Sequence, residues 1–162
     1  MIPDLDPELD LVLTRELNAP RALLWDCWTK PEHLVNWFVP KPHRVTACTL
    51  DVRPGGACNT TFDVDGMVME NTGVYLEVVP QEKLVFTDTY SVGWKPAPEP
   101  FMTAIITFQD LGDGRLQLGG GHRDGRLLDH LRVADAGQHV RDGVTHAHGS
   151  ISVRGLRLTS SP

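Results

Sequence analysis

Four carboxylates in the middle of the chain are of the residue type that performs acid–base chemistry: Asp63, Asp65, Glu70 and Glu77. A carboxylate in an apolar cavity can serve as a general base when burial tunes its pKa. Solvated strand faces and turns explain the same residues, since Asp65 begins an Asp-Gly pair typical of a tight turn. Glu70 and Glu77 would point to opposite faces if they shared one unbroken strand. We predict no catalytic residue from this set.

Histidines and cysteines are the other side chains that could bind a metal or act as nucleophiles. Imidazole is a common metal ligand, but the spacing of His139, His146 and His148 matches no known site. We therefore predict neither a metal site nor a cofactor. Cys27 lies beside Trp28 on the apolar face of a predicted helix, which favours a buried thiol over a nucleophile.

Length and composition limit the classes of protein to consider. The 162 residues suit one domain. The net charge of −6 argues against nucleic-acid binding, which needs clustered Lys and Arg. Three cysteines without paired spacing indicate a reducing, cytoplasmic compartment. The acidic residues 1–10 form a flexible leader without signal-peptide character. No apolar run approaches the roughly 20 residues that cross a bilayer, so we expect no membrane insertion.

Two short helices are predicted after a first strand at residues 11–17. Asn18-Ala19-Pro20 begins a helix over 21–29, with Asn18 as its N-cap. Thr29-Lys30-Pro31 begins a second helix, with Thr29 as its cap and Pro31 in its first turn. Apolar residues spaced three and four apart give each helix one buried face.

The central hairpin at 73–87 anchors a series of strands. Val, Tyr, Leu and Phe favour strands there, and Pro80-Gln81-Glu82 breaks the pattern at a turn. Further strands are predicted at 44–53, 57–64, 67–79, 83–90 and 101–111, with an irregular, proline-rich loop at 91–100. Sequential antiparallel strands with separate helices predict an α+β fold with one curved sheet. Such a sheet requires a long C-terminal helix to cover its apolar face.

The C-terminal part from 119 to 162 is atypical. Gly119-Gly120-Gly121 does not suit a strand interior. Residues 127–144 have helical apolar spacing, although Gly137 and Gly143 each cost about 1 kcal/mol there. Residues 151–158 alternate as a short edge strand does. Two interpretations stay open: a divergent or partly disordered end, or a shift of reading frame after Leu116.

Four segments in order carry a resemblance to a known family. They are NAPRALLWDCWTKPEHLVNWF at 18–38, DVRPGGACNTTF at 51–62, GVYLEVVPQEKLVFTDTY at 73–90 and TAIITFQDLGDG at 103–114. The chain resembles bacterial homologues of the activator of the heat-shock-protein-90 ATPase, in the START-like (SRPBCC) superfamily, over about 11–116. The resemblance implies a helix-grip fold for a single domain at 11–162. In that fold a curved antiparallel sheet wraps a C-terminal helix around a hydrophobic cavity.

The cavity implied by this resemblance would hold a small hydrophobic molecule. Large apolar side chains suit such a site, and methionine adapts to varied ligands. For any one of these residues, an ordinary core position is the favoured interpretation. The candidate lining residues are Trp37, Phe38, Phe62, Met69, Tyr75, Phe86, Trp94 and Met102.

The predicted function is therefore a non-enzymatic ligand-binding module whose ligand the sequence does not identify. The first alternative is an enzyme of the cyclase or hydrolase type that uses the same cavity. The second alternative, suggested by the family's name, is a chaperone-associated interaction protein. Exposed strand edges and a poorly covered sheet also favour a homodimer.

Overall fold

The chain forms antiparallel β-sheets and two short helices in a computed structural model. The structure describes residues 10–39, 41–100, 102–112, 115–123 and 151–152. Most of the predicted leader at 1–10 and the predicted C-terminal helix at 127–144 lie outside the described residues. No described helix is long and apolar enough to cross a membrane.

The first strand and the helix pair follow the prediction closely. Strand β1 covers Asp10–Asn18, helix α1 covers Arg21–Thr29 and helix α2 covers Pro31–Leu34. Pro20, not Asn18, is the N-cap of α1, and no side chain caps that helix. Asn18 is unavailable for this role because its backbone still belongs to β1.

The start of α2 also differs from the prediction in its cap. Lys30 occupies the N-cap position, with Pro31 in the first turn as predicted. The Thr29 hydroxyl instead donates a hydrogen bond to the Trp25 carbonyl inside α1, at 2.7 Å. This is the local bonding by which threonine side chains compete with a capping role.

A three-stranded sheet follows the helices. Its strands are β2 (Arg44–Leu50), β3 (Cys58–Val64) and β4 (Met67–Asn71), with β3 in the middle. Asp65 and Gly66 connect β3 to β4 with φ of 53° and 84°. Positive φ at both positions is what a two-residue hairpin turn requires, which confirms the prediction from the Asp-Gly pair.

A six-stranded antiparallel sheet contains the central hairpin. Its strands in spatial order are β11 (Ile151–Ser152), β1, β10 (Arg115–Arg123), β9 (Thr103–Gly112), β6 (Lys83–Thr87) and β5 (Val74–Val79). The turn between β5 and β6 contains Gln81 at φ 60°. Two described residues, Ile151 and Ser152, thus form the start of the edge strand predicted at 151–158.

The two sheets meet at Gly73, where the predicted single strand 67–79 is broken. The Gly73 N–H donates to Asn59 Oδ1 at 3.1 Å, and its carbonyl accepts from the Cys58 N–H at 2.9 Å. A Cβ on Gly73 would overlap the carbonyl oxygen of Thr87. The expected single curved sheet is therefore two sheets, joined by an isolated bridge between Ala57 and Val74. The α+β prediction itself is confirmed.

Strand β10 contains Gly119, Gly120 and Gly121, so the expectation that these glycines disfavour a strand interior is wrong. They pair on one side with Thr14, Leu13 and Val12, and on the other side with Thr107, Ile106 and Ile105. Pairing of the backbone with two neighbouring strands compensates for the weak intrinsic preference of glycine, which tertiary context commonly overrides.

The proline-rich stretch 91–100 is more ordered than predicted at its start. Strands β7 (Tyr90–Ser91) and β8 (Lys95–Pro96) form a small separate hairpin. Gly93 and Trp94 both have positive φ, at 82° and 59°. The loop that joins the two strands has three residues, 92–94, and positive φ at Trp94 is not suggested by the residue type.

The described core lies between the helices and the concave sheet surface. Trp25 of α1 packs edge-on against Phe108 of β9, with ring centroids 5.6 Å apart. Leu24 and Leu84 are completely buried. The apolar faces predicted from helical spacing therefore do point into the core.

Candidate ligand cavity

A cavity opens where the helix pair faces the junction of the two sheets. Its volume is about 20 Å³, within a concave space of about 420 Å³ that is continuous with solvent. Both helices, both sheets and the segment after β6 contribute to its wall. The lining residues are Trp28, Leu34, Phe38, Leu50, Cys58, Thr60, Asn71, Gly73, Tyr75, Phe86, Thr87, Asp88 and Met102.

Aromatic rings form much of this wall. Trp28 lies 6.4 Å from both Phe38 and Phe86, measured between ring centroids. Phe86 in turn lies 6.2 Å from Tyr75 at an interplanar angle of 73°. These separations are typical of favourable edge-to-face and tilted aromatic packing. The rings therefore support one another and give the cavity an apolar surface.

Two tryptophans at this end of the helix pair differ in their hydrogen bonding. Trp37 Nε1 donates to the Cys27 carbonyl at 3.1 Å. Trp28 Nε1 is buried and has no acceptor among the described residues. The two rings pack against each other with centroids 4.6 Å apart. Within this pair, only the indole that lines the cavity leaves its N–H unpaired.

A polar corner completes the wall beside Met102. Asp88 Oδ1 accepts a hydrogen bond from the Met102 N–H at 2.7 Å. The Thr87 hydroxyl donates to the Met102 carbonyl at 2.7 Å. Both main-chain groups of Met102 are thus held by side chains at the end of β6. The arrangement fixes the Asp88 carboxylate at the edge of the cavity.

A thiol from one sheet and a phenol from the other meet in the cavity wall: Cys58 lies on β3 and Tyr75 on β5. Tyr75 and Cys58 share a side-chain hydrogen bond. Burial raises the pKa of the Cys58 thiol to about 12 and that of Cys48 to about 11. Burial also raises the pKa of the Tyr75 hydroxyl. Both thiols are therefore protonated at neutral pH and are poor nucleophiles.

The structure places four of the eight sequence-predicted lining residues at this cavity: Phe38, Tyr75, Phe86 and Met102. Trp37 belongs to the buried core behind Trp28, and it is 4% exposed. Phe62 is half-buried and stacks on Phe38 at 6.1 Å. The sequence identifies apolar residues but does not say which side of a packed ring faces the cavity.

Met69 and Trp94 do not line the cavity. Met69 is 49% exposed on β4, two positions from the lining residue Asn71. It shares the face of Asn71, but lies about 6.7 Å farther along the strand. Trp94 is 54% exposed at the turn of the β7–β8 hairpin, where its ring covers Gly55.

The carboxylates considered for acid–base chemistry also lie away from the cavity lining. The Arg44 guanidinium binds Asp63 at 2.9 Å and lowers the pKa of that carboxyl. Glu77 pairs with Lys83 at 2.7 Å on the surface of the central hairpin. Asp65 and Glu70 are exposed. Glu70 and Glu77 belong to different strands of different sheets, so the condition of one unbroken strand is not met.

The remaining candidates for chemistry are the Cys27 thiol and the three histidines considered as metal ligands. Cys27 is 2% exposed, and burial raises its pKa to about 11, as expected for a core thiol. The described residues contain no group of three or more side chains that could hold a metal ion. His139, His146 and His148 lie outside the described residues.

Sequence reasoning missed several lining residues, of which Trp28 and Asp88 matter most. Trp28 had a signal, because it shares a helical face with Leu24 and Cys27. That signal indicates burial without indicating an unpaired N–H. Asp88 has no comparable signal, because its burial depends on Met102, which is distant in sequence.

Solved structures share this fold. A crystal structure of a protein from Nitrosomonas europaea matches with a TM-score of 0.78 and 29% identity, over 86% of this chain and 98% of that chain. One from Mycobacterium smegmatis matches with a TM-score of 0.67 and 23% identity, over 88% and 95%. A solution structure of an AHSA1-like protein from Aeromonas hydrophila gives a TM-score of 0.62 and 14% identity, over 85% and 99%.

The sequence itself also matches a family. No curated protein matches the chain. The sequence model described as "Activator of Hsp90 ATPase homolog 1-like protein" matches residues 18–149. This match continues beyond residue 116, where the resemblance recognised from the sequence ends. The chain therefore belongs to the family of activator of Hsp90 ATPase homolog 1-like proteins, as its sequence resemblance predicts.

Proposed function

We propose that the protein binds a small hydrophobic molecule in the cavity and does not transform it. The lining supports this proposal most directly. Aromatic and aliphatic side chains form most of the wall, and a few polar groups occupy defined positions. Ligand sites in proteins commonly have this combination, in which apolar area supplies affinity and a few polar groups fix orientation.

The dimensions limit how a ligand would enter. The cavity of about 20 Å³ has room for a water molecule, whereas ligand pockets commonly measure about 300–1,000 Å³. The wider concave space of about 420 Å³ includes open solvent, so it is not an enclosed pocket of that size. A ligand would therefore occupy the open part and displace lining side chains locally. Met102 suits such a displacement, because methionine is unbranched and adapts its shape.

An enzyme that uses the same cavity is the alternative proposal. Within the described residues, Asp88 is the only carboxylate in the lining. Its Oδ1 already accepts a hydrogen bond from the Met102 N–H, so this carboxylate stabilises the main chain beside the end of β6. A general base must reach a substrate proton, and its hydrogen-bonding capacity is then needed for the substrate. This arrangement favours binding over catalysis.

Ligand identification and a matched pair of variants test the binding proposal. Small molecules extracted from the purified protein are identified by mass spectrometry, and apolar compounds are screened by thermal shift. A ligand of the folded state raises the melting temperature. Asn71→Phe places a ring at the cavity wall, and Met69→Phe places the same ring on the same strand outside it. We expect Asn71→Phe to weaken binding at least tenfold and Met69→Phe to leave it unchanged.

Other results would contradict the proposal. Equal binding by both variants would place the ligand elsewhere. Failure to find any ligand across a broad panel would contradict the binding function. Chemical conversion of a bound compound by the wild-type protein, lost on Asp88→Asn, would establish the enzymatic alternative.

A further inference from the structure

The unpaired N–H of Trp28 distinguishes one part of the cavity wall from the rest. Trp28 is 4% exposed, lines the cavity, and has no acceptor for Nε1 among the described residues. Its neighbour Trp37 is equally buried, but donates to the Cys27 carbonyl at 3.1 Å. The same chemical group is thus satisfied by the protein in the core and left unpaired at the cavity.

A buried donor without an acceptor is costly, and buried indole N–H groups usually have a partner. Each exception in a folded protein therefore needs an explanation. Trp28 contributes to the wall of the cavity, so a molecule that displaces the lining side chains locally can bring an acceptor to its buried N–H. The aromatic neighbours Phe38 and Phe86 provide no conventional acceptor oxygen.

We propose that the ligand carries a neutral carbonyl-type oxygen that accepts a hydrogen bond from Trp28 Nε1. This inference rests on the proposed function, because it specifies the class of ligand for the same cavity. The class is an apolar ketone, aldehyde or ester, in contrast to a pure hydrocarbon. Its carbon skeleton lies against the aromatic wall, while its oxygen accepts the hydrogen bond from Trp28 Nε1.

The charge of the wall favours a neutral oxygen over a carboxylate. Asp88 lines the same cavity, and the whole chain carries a net charge of −6. A second negative charge close to Asp88, away from bulk water, would be repelled. A single indole N–H does not neutralise an anion, and the described lining contains no Lys or Arg. A fatty-acid carboxylate is therefore a poorer match than a carbonyl compound.

Two isosteric probes isolate the contribution of the oxygen. Acetophenone and α-methylstyrene have nearly the same shape, but the first has C=O where the second has C=CH2. Their dissociation constants are measured with wild-type protein by ¹H–¹⁵N NMR titration. One net hydrogen bond corresponds to roughly three- to tenfold in affinity. We expect acetophenone to bind more tightly by that factor and to shift the Trp28 indole resonance downfield.

Matched variants connect this preference to one indole. Trp28→Phe removes the unpaired N–H and identifies its resonance, and Trp37→Phe removes the N–H that already has an acceptor. We expect Trp28→Phe to bind both probes equally, and Trp37→Phe to keep the preference for acetophenone. Spectra of both variants verify that they are folded, and Trp28→Met, which also lacks a side-chain N–H, replaces Trp28→Phe if that variant is unfolded.

The outcomes separate this inference from the function on which it rests. Equal binding of the two probes to wild-type protein would overturn the carbonyl proposal and leave the apolar binding site intact. A preference that survives in Trp28→Phe would overturn it as well. No binding of either probe would contradict the proposed function, and the carbonyl inference with it.

Discussion

Gly73 lies so close to the carbonyl oxygen of Thr87 that a Cβ at this position would overlap that oxygen. Gly73 lies between β4 of one sheet and β5 of the other, Thr87 ends β6, and both residues belong to the cavity lining. Glycine is commonly used where backbone segments approach this closely. The boundary between the sheets therefore depends on a residue without a side chain.

Replacing Gly73 by alanine is expected to destabilise the protein by about 2–4 kcal/mol, because backbone must move to relieve the overlap. Urea unfolding measures this change. Gly66→Ala is the control: it has open space around the new Cβ but φ of 84°, so its cost is about 1–2 kcal/mol of left-handed strain. A smaller loss for Gly73→Ala than for Gly66→Ala would contradict the proposed overlap.

The buried thiols predict a loss of stability at alkaline pH. Burial raises the pKa of Cys58 from 9.0 to about 12, and those of Cys27 and Cys48 to about 11. Above pH 9 the unfolded chain loses these protons while the folded chain keeps them, so the free energy of unfolding falls. Each thiol contributes at most about 1.4 kcal/mol per pH unit up to its folded pKa.

Urea unfolding at pH 7, 8.5 and 10 measures that slope. Cys58→Ala is expected to be less stable at pH 7 but to lose less stability between pH 8.5 and 10 than the wild type. The same slope in both proteins would show that Cys58 keeps an ordinary pKa when folded.

Local sequence patterns predicted the elements well and the cavity only in part. The Asp65-Gly66 turn depends on residues that are adjacent in sequence, so composition suffices to locate it. The sequence predicts Met69 as a lining residue because methionine suits an adaptable apolar site, but Met69 does not line the cavity. Its distance from the cavity depends on where β4 ends and the second sheet begins. Tertiary contacts at Gly73 set this boundary, and an alternating sequence pattern does not reveal such contacts.

Asp88 leads to a prediction about the polar corner of the cavity. Asp88→Ala leaves the buried Met102 N–H without its acceptor, which costs about 1–3 kcal/mol. Asp88→Asn keeps a carbonyl-type oxygen at the same position and is expected to cost less. Thermal unfolding of the two variants tests this order. Equal losses would mean that the negative charge of Asp88 stabilises the fold, and not its hydrogen bond to Met102.

Strand β4 leads to a prediction about association. Met67, Val68 and Met69 are 65%, 69% and 49% exposed, and within the described strands β4 pairs with β3 alone. An apolar edge strand of this kind favours pairing with a second copy. We expect the protein to form a dimer at high concentration, which size-exclusion chromatography with light scattering would detect.

A lysine on this edge should abolish the association without harming the fold. Val68 is the cross-strand partner of Asp63, so the charge of Val68→Lys faces a carboxylate and is tolerated. Val92→Lys makes the same change in charge at a 52% exposed residue of the β7–β8 hairpin. We expect monomers from Val68→Lys and wild-type behaviour from Val92→Lys. Dimers that persist in Val68→Lys would exclude β4 as the interface, because a charged lysine at its centre opposes pairing of two copies.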